Sequence, residues 1–440
     1  MSRTGIATFC VLVVFTFTAQ AARAADQGEI ALVEDDGSIQ QVILLPDASL
    51  AAAAKIFYKS HSDRYHDLFF FWSSSGAGIQ QGWTVFNDTK GIGRDNMWNQ
   101  RTRFGVPANG MLRMAVKMGS LPTLPENPDD RAVIVPGYPL TGAELMGHEF
   151  GHHWLAAITY KQNGVTHCWV RGFEPNGEGT PGDCDGYEEG DFNQHWSYDF
   201  NSRSVMYGSF IGDNGGGQFT FTYPAAGYSP LDQYLMGLRP RGEVEADQEL
   251  FVVDTGSVSG TASLPMQHSS STSVTGTRAD FSMDDVIASM GERIPQSDPC
   301  HRKAAFLLIH PKGQPPTAAA VAKMDKYRKR WETYYDWATS SHGSVDTTLS
   351  GSGPGTATCP SGAPPDGGFP DAGSDSSDPS DQSDVSDLPA DAGSPPEDGA
   401  APGGHDAPAG TPDGGGGGTK PDLAGSQDES GGCSCSAVGF

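Results

Sequence analysis

The residues best suited to chemistry are His148, Glu149 and His152, in the run His148-Glu149-Phe150-Gly151-His152. On an α-helix, side chains four apart share a face, one turn above the other. Two imidazoles so spaced can hold one metal ion, and the glutamate after the first lies beside the ion's open position, where a water sits. The spacing therefore predicts a zinc site with His148 and His152 as ligands and Glu149 as general base. A catalytic zinc usually takes three protein ligands and a water. The extended pattern H-E-x-x-H-x-x-G-x-x-H does not supply the third, because Leu155 and Ile158 stand at its glycine and second histidine positions.

Two candidates for the third ligand lie farther along. Asp232, in Ser229-Pro230-Leu231-Asp232-Gln233-Tyr234-Leu235-Met236-Gly237-Leu238, ranks first, as a carboxylate on a second helix that can approach the metal from its open side. The same Ser-Pro-x-Asp spacing also reads as a capping box, in which Asp232 only closes its own helix. His195, in His195-Trp196-Ser197, is the alternative third ligand, although a histidine beside a tryptophan is more often a packed structural residue. Glu178 and the Asp183–Asp191 carboxylates rank after these two. An oxyanion donor is sought among Tyr228, Tyr234 and His153.

The helix that must carry the pair starts at a capping box, Thr141-Gly142-Ala143-Glu144. Apolar residues at Leu145, Met146, Phe150, Trp154, Leu155 and Ile158 recur at helical intervals and predict a buried helix from Thr141 to about Ile158. Upstream, Ser49–Phe57 reads as helix, and Leu68–Trp72, Trp83–Asn87 and Ala132–Val135 read as strands. Downstream, Asp213–Gly217 reads as a turn leading into an alternating strand at Gln218–Tyr223. Ser282–Met290 reads as a short capped helix and Thr317–Trp337 as a long amphipathic one. Asn176–Phe192 is rich in Gly, Asp and Glu. Its Asp183, Asp185, Glu188, Glu189 and Asp191 make calcium a second candidate ion, although the EF-hand spacing is absent and a solvated acidic loop fits as well.

Taken in order, His148–Trp154, His195-Trp196-Ser197, Ser204-Val205-Met206 and Ser229–Leu238 resemble the secreted bacterial zincin metallopeptidases, many of them from myxobacteria. The resemblance covers roughly residues 140 to 240 and implies a zincin-like catalytic domain. Ser204-Val205-Met206 is similar to the methionine turn of metzincins, while the missing third histidine speaks against that clan; the aspartate reading is similar to the aspzincins, whose pattern Ser229–Gly237 matches loosely.

The chain begins like an exported one. A short positive start, an apolar run at Ile6–Thr18 and Ala22-Arg23-Ala24 form a signal peptide with an A-x-A site. The run is too short for a membrane span. Cys10 lies inside the signal and has no lipobox. Six cysteines remain, as suits disulfides outside the cytoplasm, with Cys168–Cys184 and Cys300–Cys359 as the expected pairs. The net charge is −26; residues 351–440 hold 15 acidic residues and one lysine, so the rest carries −12. With no basic stripe, nucleic acid is excluded as a partner class. The tail is Gly, Pro, Asp, Ser and Ala, too poor in apolar groups to offset its ordering entropy. Its end, Cys433-Ser434-Cys435, resembles a myxobacterial sorting tag that lacks the membrane span and basic cluster.

These readings give an α+β fold. A signal peptide (1–24) precedes a zincin-like domain (25–345) with a mixed sheet, the H-E-x-x-H helix and a mostly helical C-terminal lobe. A disordered linker (346–432) and a tag remnant (433–440) follow. The expected function is a secreted zinc endopeptidase, a monomer, acting on protein or peptide through a zinc-activated water, with cell-surface attachment through the tail as an added expectation. The rivals are a catalytically inactive zincin-like surface binding protein and a hydrolase of non-peptide bonds.

Overall fold

A computed structural model describes residues 24–35, 37, 39, 46–75, 80–94, 98–132, 140–173, 192–222, 226–255, 272–295 and 298–350. The signal segment up to residue 23, Glu178, the Asp183–Asp191 carboxylates, most of the strand expected at Ala132–Val135, the linker beyond residue 350 and the terminal cysteines lie outside them.

The elements that position the site are β1 (Ala24–Gln27), β2 (Ile30–Asp35), α1 (Pro46–Phe57), β3 (Asp67–Trp72), β4 (Gln81–Thr84), β5 (Met114–Ser120), α2 (Gly142–Gly151), β6 (Phe192–Trp196), α3 (Pro230–Leu235), α4 (Met283–Met290), β7 (His301–Pro311), α5 (Ala318–Ala338) and β8 (Ser344–Asp346). One mixed sheet runs in the order β1-β2-β7-β3-β5-β4, with β8 on β7. Its centre is parallel: β2, β3 and β8 all run with β7, and β5 with β3. Antiparallel strands close both ends, β1 against β2 and β4 against β5.

The central strands read as unbroken apolar runs because both of their faces are covered. In β3, Phe69 and Phe71 point to one core with Phe306 and Leu308 of β7, where α2 and α5 pack. Leu68, Phe70 and Trp72 point to the other, with Leu307, Ile309 and α1. Arg302 of β7 and Asp67 of β3, both buried, join by two hydrogen bonds of 2.8 and 2.6 Å. A buried guanidinium is tolerable because the carboxylate matches it bidentately.

The mixed sheet and the helices at 46–57, 283–290 and 318–338 follow the sequence pattern, with Ser282 and Thr317 capping the last two. Among the described residues the mostly helical C-terminal lobe does not appear. Beyond α3 lie strands at Phe251–Asp254, Thr272–Thr275 and Thr277–Asp280, then β7 and β8. Ala304–Ile309 is a short apolar run, which periodicity alone cannot assign, and it is a strand because β2 and β3 flank it. The strand expected at Trp83–Asn87 is split at Val85: β4 ends at Thr84, and Phe86–Asn87 pairs with Trp98–Asn99 instead. Pairing also continues past residue 345: β8 reaches Asp346, Thr347 and Leu349 are buried, and the folded part extends to at least Ser350.

Among the described residues no helix is long and apolar enough to cross a membrane. Cys168 and Cys300 are buried and disulfide-bonded; Cys184 and Cys359, their expected partners, lie outside the described residues.

Candidate metal centre

The helix α2 starts as its sequence requires. The Thr141 hydroxyl accepts from the Glu144 amide at 3.2 Å, and the Glu144 carboxylate accepts from the Thr141 amide at 2.7 Å. It ends sooner than the apolar pattern suggests: Gly151 is its last residue and His152 its C-cap. Ala156 takes a left-handed φ of 60°. Trp154, Leu155 and Ile158 are buried all the same, in a compact turn, so their apolar character did not mark helix. His152 keeps right-handed helical angles, which preserves its one-turn relation to His148.

His148, His152 and His195 converge. Each offers one ring nitrogen, and the three nitrogens lie within 4.8 Å of one another. The ring centroids stand 5.0 Å (148–152), 4.9 Å (148–195) and 5.1 Å (152–195) apart. His148 Nδ1 lies 3.0 Å from the Val205 carbonyl. A carbonyl only accepts, so Nδ1 carries the hydrogen and Nε2 keeps its lone pair. That Nε2 lies 3.0 Å from His195 Nε2. Ligands about 2.0–2.1 Å from a tetrahedral zinc stand roughly 3.4 Å apart, so the pair sits near ligand spacing.

Burial holds the His148 imidazole down to about 4 against the opposing pull of the Val205 carbonyl. Burial also drives His152 and His195 well below the ordinary histidine value, and the neighbouring imidazoles add to it. All three are therefore neutral at pH 7, the form in which imidazole binds a metal. Three convergent neutral imidazoles fit a divalent ion such as zinc.

Glu149 is 3 % exposed. Burial pushes its carboxyl up to about 8, and a backbone hydrogen bond from Gly82 of β4 opposes the rise. Its Oε2 has no hydrogen-bond partner among the described residues. Gly82 has to be glycine. A Cβ there would run into the Glu149 backbone carbonyl and stand 2.9 Å from the His152 Cβ, so β4 can lie against α2 only without a side chain.

The support beneath the helix comes from Ser204-Val205-Met206. Met206 is buried, and a Cβ on Gly151 would stand 2.5 Å from its sulfur. The Trp196 amide donates to the Met206 carbonyl at 3.1 Å, which fastens the strand carrying His195 to the same turn.

Asp232, placed first as third ligand, turns its oxygens elsewhere. Oδ1 accepts from the Trp196 indole at 2.9 Å and Oδ2 from the Ser229 amide at 2.9 Å. It closes the capping box of α3 and also accepts from the Ser204 hydroxyl. The histidine alternative, His195, is the residue brought to the pair.

The three oxyanion candidates also face elsewhere. The Tyr228 hydroxyl donates to the Gly147 carbonyl at 2.6 Å, and the Tyr234 oxygen accepts from the Arg293 amide at 3.1 Å. His153 is buried edge-on against Trp154, its pKa held low by burial and by Arg302 and Arg113. Tyr207, which the sequence did not single out, lies against the centre instead. Its ring centroid is 4.1 Å from His148 and 4.5 Å from His195, at a backbone φ of 58°. A left-handed tyrosine is sterically costly, and such strain clusters at functional sites. Only its place directly after Ser204-Val205-Met206 could have marked it.

No protein-family model, no curated protein and no solved structure matches this chain.

Proposed function

We propose that the protein is a zinc-dependent endopeptidase of zincin type, exported from the cell. The observation that carries this reading is the convergence of His148, His152 and His195 beside a buried carboxyl group, Glu149, with an uncommitted oxygen. A divalent ion held by the three imidazoles would supply Lewis acidity and lower the pKa of a water.

Glu149 serves as the base. A carboxyl group whose pKa is lifted toward neutrality can take a proton from the attacking water and return it to the leaving amine. Nearby positive charge acts against the lift, so the working value lies below that of the metal-free site. Tyr207, whose ring lies against two of the imidazoles, is assigned the hydrogen bond to the developing oxyanion. The substrate backbone is assigned to β4. This strand is antiparallel at the sheet's end, pairs with β5 on one side, and carries Gly82 against Glu149. An extended peptide added along such an edge gains main-chain hydrogen bonds.

The experiment is Glu149→Ala. The variant retains zinc and loses hydrolysis of an unfolded protein such as casein; undiminished hydrolysis removes the catalytic role. A second reading, a non-catalytic binding protein with a structural ion, is favoured by the burial of His148, Glu149, His152 and His195 alike, at 0 to 4 % exposure. Structural zinc sites are closed in this way. Against it stands Glu149 itself, since a structural centre has no use for a buried carboxyl group whose Oε2 meets no donor among the described residues.

A further inference from the structure

We propose that Asp232 is the positioning residue of the metal centre: its carboxylate ties the strand bearing His195 to the turn that orients His148. The inference rests on the reading of His148, His152 and His195 as a metal site.

Two separate segments must be held in register for the three imidazoles to meet. His195 sits near the end of β6, and its neighbour Trp196 places the indole N–H on Asp232 Oδ1 at 2.9 Å. His148 is oriented by the Val205 carbonyl, and the adjoining Ser204 donates its hydroxyl to Asp232. That same hydroxyl oxygen accepts from the Met206 amide at 3.1 Å, so the turn is fixed on both sides of Val205. Asp232 is itself anchored by the Ser229 amide at 2.9 Å and is fully buried. One carboxylate therefore collects donors from β6, from the 204–206 turn and from the start of α3. Removing it takes away the side-chain tethers of both segments at once and leaves the Trp196 amide–Met206 carbonyl bond as their direct link, while the helix pair His148 and His152 stays in place.

Capping alone would not require this. The α4 helix has the same box: Ser282 accepts from the Asp285 amide, and the Asp285 carboxylate accepts from the Ser282 amide at 2.8 Å. The Asp285 carboxylate takes its further side-chain hydrogen bonds from the Ser282 hydroxyl at 2.8 Å and from Gln162 at 3.0 Å, and none from the segments that carry His195 or Val205. It is the matched control for loss of a cap.

The test uses the full chain, stripped of metal and titrated with zinc against a chromophoric chelator, with melting temperature recorded for each variant. Asp232→Asn is expected to weaken zinc binding about tenfold to a hundredfold, as loss of an outer partner of a metal ligand does. Trp196→Phe is expected to weaken it less, and the double variant no more than Asp232→Asn alone, because both changes cut one tether. Asp285→Asn is expected to lower the melting temperature and leave zinc affinity as in the parent chain. Affinity within twofold of the parent in Asp232→Asn overturns the proposal. If Asp232→Asn does not fold, unchanged affinity in Trp196→Phe overturns it. A parent chain that takes up no zinc overturns the metal-site reading itself, which is a different failure.

Discussion

The Nε2 atoms of His148 and His195 lie 3.0 Å apart, although 47 residues separate them in the chain. With His148 Nδ1 committed to the Val205 carbonyl, the His148 lone pair points at its neighbour. Either a hydrogen bond donated by His195 or a cation shared by the two nitrogens makes this approach favourable, and the third imidazole, His152, within 4.8 Å of both, suits the cation.

His195→Ala should therefore cost the protein its zinc. Of the three imidazoles two remain, and metal content after dialysis should fall from one ion per chain to near zero. Retention of a full equivalent would mean that the third donor is elsewhere.

Zinc uptake should release a proton from Glu149. In the metal-free protein burial holds this carboxyl up to about 8, so it is protonated at pH 7. The three histidines are already neutral there and release nothing. A dication next to the carboxyl favours its ionised form. Calorimetry in buffers of different ionisation enthalpy should show that the parent releases more protons at pH 7 than Glu149→Gln does, and that the excess vanishes at pH 9.5, where the group has already ionised. A release at pH 7 unchanged in the variant would rule out Glu149 as the source.

Gly82→Val should loosen the packing of β4 on α2. The added side chain meets the Glu149 carbonyl and His152 Cβ, neither of which can swing aside. Overpacking of this kind costs roughly 1–3 kcal/mol. Chemical denaturation should report that loss, and an unaltered midpoint would show that the strand stands farther off.

The local features of this site were readable in the sequence and the distant ones were not. The capping boxes at Thr141, Ser229 and Ser282 bind groups three residues apart, so spacing reveals them. The His148–His152 pair is set by a single helical turn. The choice between Asp232 and His195 depends instead on an indole-to-carboxylate bond spanning 36 residues. Asp232 was ambiguous because a capping carboxylate and a metal-binding one look alike in sequence. The strand β7 was missed for a related reason: it is defined by neighbours such as Asp67, paired with Arg302 across 235 residues. The early end of α2 leaves no mark in the sequence because Trp154 and Leu155 are buried in the turn that follows, as they would be in a helix.

Tyr207→Phe should keep zinc and lose turnover. Removal of an oxyanion donor typically costs about 10²–10³ in kcat. Steady-state kinetics should show this fall with KM little changed. A kcat equal to the parent's would leave the phenol without a role in the reaction.

The most direct measurement is casein hydrolysis by one preparation in three states: as purified, after chelation, and after return of one equivalent of zinc. Cleavage should disappear on chelation and come back with the metal. Cleavage at the same rate by the stripped protein, or none by the zinc-loaded protein, would contradict a peptidase built on His148, His152 and His195.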